Sequence, residues 1–139
     1  MDIIILRMKY PNDPTGNLAA HQHFVAELSK ESINLYSISS ILGKENRVLG
    51  KNKEDYEQIK AEEIRVNGFK VPSFIDCTKM YQIILDDTVD IKRLSNRNIT
   101  SELSKRIHDR IECKKKEGKH GVYSISVEEL KEWNKKVIK

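Results

Sequence analysis

The sequence predicts an α+β domain that is mainly β: a small twisted barrel closed by one helix, with an extra helix near the C-terminus. Three observations lead to this class. Residues 2–10, 21–28 and 33–40 are β-prone runs, Asn67-Gly68 lies between two further such runs, and residues 100–113 form an amphipathic helix. The predicted elements follow the order of a small twisted barrel: strand, long loop, strand, short turn, strand, excursion, hairpin and helix.

The first three strands are the clearest predicted elements. A near-continuous apolar run follows Asp2 and ends in the turn residues 11–17. The next run begins at His21, and a turn at residues 29–32 separates it from a third run, in which apolar and polar residues alternate from Ile33. A period of two is typical of half-buried strands, so these runs are expected to form strands.

A β-hairpin is predicted around Asn67-Gly68. A type I′ turn needs positive φ at both central residues, and Asn-Gly meets that need at the lowest steric cost. With a two-residue loop, Val66 faces Phe69 on an apolar side of the ladder. Arg65 faces Lys70 on the other side, which is therefore cationic. That side is either a solvated outer face or a surface for an anionic partner.

Two helices are predicted after the hairpin. Residues 100–113 carry an apolar stripe at four-residue spacing, and Thr100 or the residue after it can cap this helix. Ser126 and Glu129 form a capping box that begins a second helix. Residues 122–125, just before this box, are expected to form a short strand.

The chain length of 139 residues suits one domain with a sizeable core. Residues 1–113 are expected to form the barrel with its closing helix, and residues 114–139 an extension packed on the same domain. Residues 42–61 form the largest excursion, in which residues 53–60 favour two turns of helix.

Composition sets broad limits on function. Lys+Arg exceeds Asp+Glu by 25 to 21, which is compatible with an RNA partner without requiring one. Cys77 and Cys113 lack metal-ligand spacing, so a reduced, cytoplasmic protein is expected. No apolar run approaches a membrane span, and no glycine-rich phosphate loop occurs. We therefore expect no membrane contact, no metal and no cofactor.

Several short sequence motifs along residues 1–113 have the same order and spacing as the motifs of one known family. They are Asp2-Ile3-Ile4, His23-Phe24-Val25, Ser37-Ile38-Ser39-Ser40, Gly68-Phe69 with Ser73-Phe74-Ile75, Met80-Tyr81-Gln82-Ile83, and the helical stripe Leu94, Ile99, Leu103, Ile107 and Ile111. In these motifs the chain resembles the MazF/PemK family of toxin endoribonucleases, whose fold is a CcdB-type SH3-like barrel. Where that family usually carries an arginine before the second strand, this chain has Gln22.

The resemblance implies the toxin of a toxin–antitoxin system, which cleaves single-stranded RNA without a metal. A base removes the proton of the ribose 2′-OH, that oxygen attacks the adjacent phosphate, and an acid protonates the 5′ leaving oxygen. The products are a cyclic phosphate and a 5′-hydroxyl. The resemblance also implies a homodimer with RNA crossing its interface, and a cognate antitoxin that is a small protein or a structured RNA.

The candidate catalytic residues lie at the start of the second strand and the end of the third. His23 is the first choice for acid/base, because the unperturbed pKa of histidine lies near neutrality. His21 is the second choice and points the same way in a strand. Ser39 stands where the family has threonine and is expected to hold the phosphate, or Ser40 if the register shifts by one. The predicted RNA contacts are Lys9, Gln22, Arg65, Lys70 and Lys79.

Two other functions remain open. The same barrel could bind nucleic acid or a protein and cleave nothing, which the glutamine at position 22 favours. It could also be a toxin that acts on a protein target such as gyrase. RNA binding without cleavage would indicate the first, and toxicity without nuclease activity the second.

Overall fold

The computed structural model describes all 139 residues as three helices and one eight-stranded, mainly antiparallel sheet. The strands are β1 (Ile3–Met8), β2 (Ala19–Leu28), β3 (Ser32–Ser40), β4 (Tyr56–Ile59), β5 (Ser73–Asp76), β6 (Lys79–Ile84), β7 (Asn96–Arg97) and β8 (Gly121–Ile125). The helices are α1 (Glu45–Val48), α2 (Ser101–Lys116) and α3 (Val127–Trp133). The predicted α+β, mainly β class is confirmed. None of the helices has both the length and the apolar character needed to cross a membrane.

The sheet branches at β3. Its main strand order is β4-β5-β3-β2-β1-β7, and β6 pairs with β3 and β8 off this path. The first half of β3 pairs with β6, and its second half pairs with β5. The two end strands, β4 and β7, do not pair with each other, so the ladder does not close. The structure is therefore a branched sheet that is open between β4 and β7, and it does not show the closed barrel that the sequence predicts.

Strand register divides the core between two faces of the sheet. Ile3, Phe24 and Tyr36 are paired across β1, β2 and β3 and lie on the side that packs against α2, here called the helix face. Ile4, His23 and Ser37 are paired one residue along and lie on the opposite side, here called the histidine face. Apolar residues from α3 and from the segment between β6 and β7 cover only part of the histidine face.

The closing helix follows its sequence prediction. The Thr100 hydroxyl caps α2 by accepting from the Leu103 N–H at 3.3 Å. Leu103, Ile107 and Ile111 are buried in the helix-face core. The second predicted cap is also confirmed, because Ser126 and Glu129 satisfy each other's backbone donors at the start of α3. The short strand expected near residues 122–125 is β8, which runs parallel to β6.

The predicted hairpin at Asn67-Gly68 is wrong. The Phe69 N–H bonds to the Ile64 carbonyl at 2.8 Å and the Gly68 N–H to the Arg65 carbonyl at 3.2 Å, which is the hydrogen-bond pair of a helical C-terminus. Gly68 has φ of 74°, and no residue other than glycine has positive φ, so Asn67 does not take the type I′ conformation. Arg65 and Lys70 are exposed and do not face each other across a ladder.

Asn67 is buried in this turn and joins three segments. Its Nδ2 donates to the Glu63 carbonyl at 2.9 Å, and its Oδ1 accepts from the Thr100 N–H at 2.8 Å. Its own carbonyl accepts from Arg97 Nε at 3.0 Å. The asparagine therefore fixes the turn to the start of α2, which a hairpin tip could not do.

Replacing Asn67 with alanine should destabilise the protein by about 1–3 kcal/mol, because two half-buried backbone groups, the Glu63 carbonyl and the Thr100 N–H, lose their partner. Asn67→Asp keeps the acceptor for Thr100 and loses only the donor, so its effect should be smaller. Urea unfolding with an unchanged m-value measures both changes. Equal stability of Asn67→Ala and the wild type would contradict this role.

The predicted helix over residues 53–60 is also wrong. Lys53–Asp55 forms one 3-10 turn, and Tyr56–Ile59 is strand β4 at the sheet edge. Glu57 lies almost buried under α2, where its carboxylate accepts from Arg106 Nη2 at 3.2 Å and from Arg110 Nε at 2.9 Å. These ion pairs with α2 and the pairing with β5 outweigh the helix propensity of a short segment.

Candidate nucleic-acid site

His21 and His23 point to the same side of the sheet, as their spacing predicts. Both lie on the histidine face of β2, with ring centroids 6.2 Å apart in an edge-to-face arrangement. The ring of Tyr10, from the loop after β1, packs against both, at 5.4 Å from His21 and 5.8 Å from His23. The three rings form a cluster near the start of β2.

His23, the first-choice acid/base, is completely buried. Its Nδ1 lies 3.2 Å from the His21 carbonyl, which can only accept, so Nδ1 carries the hydrogen. Its Nε2 then carries no hydrogen, and it accepts a hydrogen bond from the Tyr10 hydroxyl at 2.8 Å. Burial lowers the pKa of His23 to about 3. A neutral ring with both nitrogens engaged and no solvent contact does not suit proton exchange with a substrate.

His21 has the more suitable environment. It is half-buried, and burial together with the nearby charge of Lys44 lowers its pKa below the ordinary value. The ring is therefore neutral at pH 7 and able to accept a proton. Its own carbonyl holds His23, so the backbone here is fixed by the buried ring.

Ser39 falls on the same face of the sheet as His21, by alternation from the paired Gln22 and Ile38. The β2–β3 ladder ends at the pair Gln22–Ile38, and His21 and Ser39 each come one residue beyond that end. Ser40 falls on the opposite face by alternation, and its Oγ accepts from the Leu42 N–H at 3.1 Å as part of a turn. The structure thus groups His21 with Ser39 and separates Ser40 from them.

Two cations lie over the aromatic residues beside Ser39. Phe74 pairs with Ser39 across the β3–β5 ladder. Lys44 Nζ lies 5.8 Å from the Phe74 ring centroid, and the Arg47 guanidinium carbon lies 5.7 Å from it. Arg47 Nε also donates to the Tyr56 hydroxyl at 3.1 Å, and its Nη2 lies 3.8 Å from the Asp76 carboxylate, which partly pairs its charge. Cations held on aromatic faces beside a half-buried serine suit a phosphate-bearing ligand.

The predicted RNA contacts are scattered. Lys9, Arg65 and Lys70 are exposed. Lys79 is half-buried, and its Nζ donates to the Asp76 carboxylate at 3.0 Å, so its charge is already paired. Gln22 lies on the helix face, away from His21 and Ser39.

Sequence reasoning missed Arg97. Its Nη2 donates to Gln22 Oε1 at 2.6 Å, so a guanidinium lies at the position where the resemblance expects an arginine. No local pattern marks Arg97, which stands in a polar stretch between two helical segments. Only the pairing of β7 with β1, which sets Arg97 opposite Ile3, brings it to Gln22.

No group of three or more His, Cys, Asp or Glu side chains is arranged to hold a metal ion. Comparison of the chain with protein-family models, curated proteins and solved structures gives no match.

Proposed function

We propose that this protein is a metal-independent endoribonuclease that cleaves single-stranded RNA by attack of the ribose 2′-OH, and that it is the toxin of a toxin–antitoxin pair. The observation that carries the proposal is the neutral, half-buried ring of His21 beside Ser39 and the cation Lys44. A base, a hydroxyl donor and a cation on one open face are the groups that this reaction needs.

The roles follow from the placement of these groups. His21 accepts the proton of the 2′-OH, whose oxygen then forms a bond to the adjacent phosphorus. Ser39 donates a hydrogen bond to a phosphate oxygen, and Lys44 and Arg47 offset the developing negative charge. The bond from phosphorus to the 5′ oxygen breaks, that oxygen takes a proton from solvent water, and His21 returns its proton to solvent. The buried His23, bound to the half-buried Tyr10, positions the His21 backbone.

The MazF/PemK resemblance supplies the biological setting of this proposal. It supports an SH3-like barrel that is open between β4 and β7, a homodimer with RNA crossing the interface, and a cognate antitoxin made of protein or RNA.

A binding protein without nuclease activity is the second candidate. The complete burial of His23 favours it, because the first-choice catalytic group is then a structural one. Such a protein would hold RNA on the same cations and leave it intact.

Incubation of the purified, antitoxin-free protein with a long single-stranded RNA in EDTA tests the proposal. We expect discrete cuts with 5′-hydroxyl ends and cyclic phosphates on the other fragment. Intact RNA that remains bound to the folded protein would refute nuclease activity and establish the binding candidate. A gel-shift measurement on the same samples separates the two results.

A further inference from the structure

We propose that Arg97, together with Gln22, Asn67 and Phe69, forms a binding site for a phosphate group, and that its ligand is a phosphodiester of single-stranded RNA away from the cleaved bond. The chemistry of the site stands on its own geometry, and only the identity of the ligand rests on the proposed function. The site lies on the helix face, whereas His21 and Ser39 lie on the histidine face.

Four contacts fix the Arg97 side chain. Nε donates to the Asn67 carbonyl at 3.0 Å, and Nη2 donates to Gln22 Oε1 at 2.6 Å. The guanidinium carbon lies 4.5 Å from the centroid of the Phe69 ring, and Phe69 itself is buried. A Cβ at Gly68 would lie 2.6 Å from Arg97 Nε, so only glycine leaves room for the guanidinium. A side chain held in this way is already oriented for a ligand.

The charge of Arg97 is unpaired. Three arginines of the chain are half-buried: Arg97, Arg106 and Arg110. Arg106 pairs with Glu57 and Glu63, and Arg110 with Glu54 and Glu57. Arg97 forms no ion pair, and both of its polar partners, Asn67 and Gln22, are neutral. Partial removal of a charge from water without an opposite charge is unfavourable, which a bound anion would correct.

Donor groups remain for that anion. An arginine side chain has five N–H groups, and two of those of Arg97 are used by Asn67 and Gln22. The remaining three, which include both on Nη1, make no hydrogen bond within the chain. Adjacent guanidinium donors match the oxygens of a phosphate in geometry and charge.

The sheet separates this phosphate from the reacting one. His21 and Gln22 are consecutive residues with side chains on opposite faces, so one phosphodiester cannot contact both His21 and Arg97. Arg97 therefore contributes to RNA affinity and register, and it is not a catalytic residue. RNA that reaches both groups must be several nucleotides long.

Fluorescence anisotropy with a 2′-O-methyl single-stranded RNA tests the site, because this probe lacks the attacking hydroxyl and stays intact. We expect Arg97→Gln to weaken binding by about 5- to 20-fold and to lower the magnitude of the salt slope by about 1. Arg97→Lys keeps the charge but loses the planar fork, so its affinity should be intermediate. Lys105→Gln, which removes an exposed cation on α2, is the charge-matched control and should bind within about 2-fold of the wild type.

Thermal unfolding of each variant checks the fold. If Arg97→Gln does not fold, Gln22→Leu replaces it, because this change removes one acceptor that orients the guanidinium and leaves its charge. Gln22→Leu should weaken binding of the probe with little change in salt slope. The proposal would be overturned if Arg97→Gln, or Gln22→Leu used in its place, bound the RNA probe as tightly as Lys105→Gln does.

Inorganic phosphate separates this site from the proposed function. If the wild type binds no RNA, but phosphate raises its unfolding temperature and not that of Arg97→Gln, the site stands with a free phosphate as ligand and the nuclease proposal fails. If RNA is cleaved but Arg97→Gln changes neither affinity nor salt slope, the nuclease stands and the site is refuted. Absence of both RNA binding and the phosphate effect refutes the site.

Discussion

Replacing His21 with alanine is expected to slow RNA cleavage by about 100- to 10,000-fold, which is the usual contribution of one positioned acid or base. The substitution removes the ring that accepts the 2′-OH proton. It leaves the His21 carbonyl, so the hydrogen bond that fixes His23 persists. Single-turnover cleavage in EDTA buffer measures the effect, since it separates the chemical step from product release.

His108→Ala is the matched control for this loss. His108 is an exposed histidine on α2, on the far side of the sheet from His21, and its removal should leave the rate within about 2-fold. Because burial and Lys44 lower the pKa of His21, cleavage should also persist to lower pH than an ordinary histidine base allows. A His21→Ala protein that cleaves at the wild-type rate would place the base elsewhere.

The protein is expected to lose about 2 kcal/mol of stability between pH 7.5 and pH 5 through His23 alone. Burial lowers the pKa of His23 to about 3, whereas the ordinary value of 6.5 holds in the unfolded chain. Between these values the unfolded chain binds a proton that the folded protein does not. Stability is therefore fully present above pH 6.5 and is lost progressively as the pH falls towards 3.

His23→Gln isolates this contribution. The glutamine can still accept from the Tyr10 hydroxyl but does not titrate, so its unfolding free energy should depend less steeply on pH. His21 and His120, whose pKa values burial also lowers, add dependence of the same sign to both proteins. Urea unfolding at half-unit pH steps measures the difference between the two slopes. Parallel pH curves would show that His23 titrates alike in both states.

The predictions of α2 and α3 succeeded because caps and apolar stripes act over a few residues. Thr100, Ser126 and Glu129 satisfy backbone donors within one turn of themselves, and the stripe of α2 needs only a flat apolar partner. The same local information set the alternation of β3, in which Ile33 and Leu35 are buried. These elements would be expected on almost any scaffold with an apolar core.

The Asn67-Gly68 prediction failed because two local structures share one sequence. Asn-Gly suits a type I′ turn and also a helical C-terminus with glycine in the left-handed region. The choice depends on partners far along the chain: the Asn67 amide bonds Thr100, and Phe69 is buried under Arg97. Neither partner is visible in the hairpin sequence.

The candidate site was predicted in part. The two-residue spacing of His21 and His23 gave their common direction, and the element order brought Ser39 near them. The choice between the two histidines needed burial, which depends on where Tyr10 returns over the sheet. Arg97 could not be predicted, because a two-residue strand has no periodicity to mark it.

The sequence by itself determined the α+β class, the capped starts of α2 and α3, and the strands β1, β2, β3 and β8, since these follow from free energies between residues close along the chain. The tertiary structure decided which titratable and charged groups meet. It buried His23 and left His21 half-exposed. It also bonded Asn67 to Thr100, and it brought Arg97 to Gln22 with no carboxylate to pair its charge. Those outcomes depend on strand pairing and packing between residues up to 75 positions apart, where no local pattern carries information.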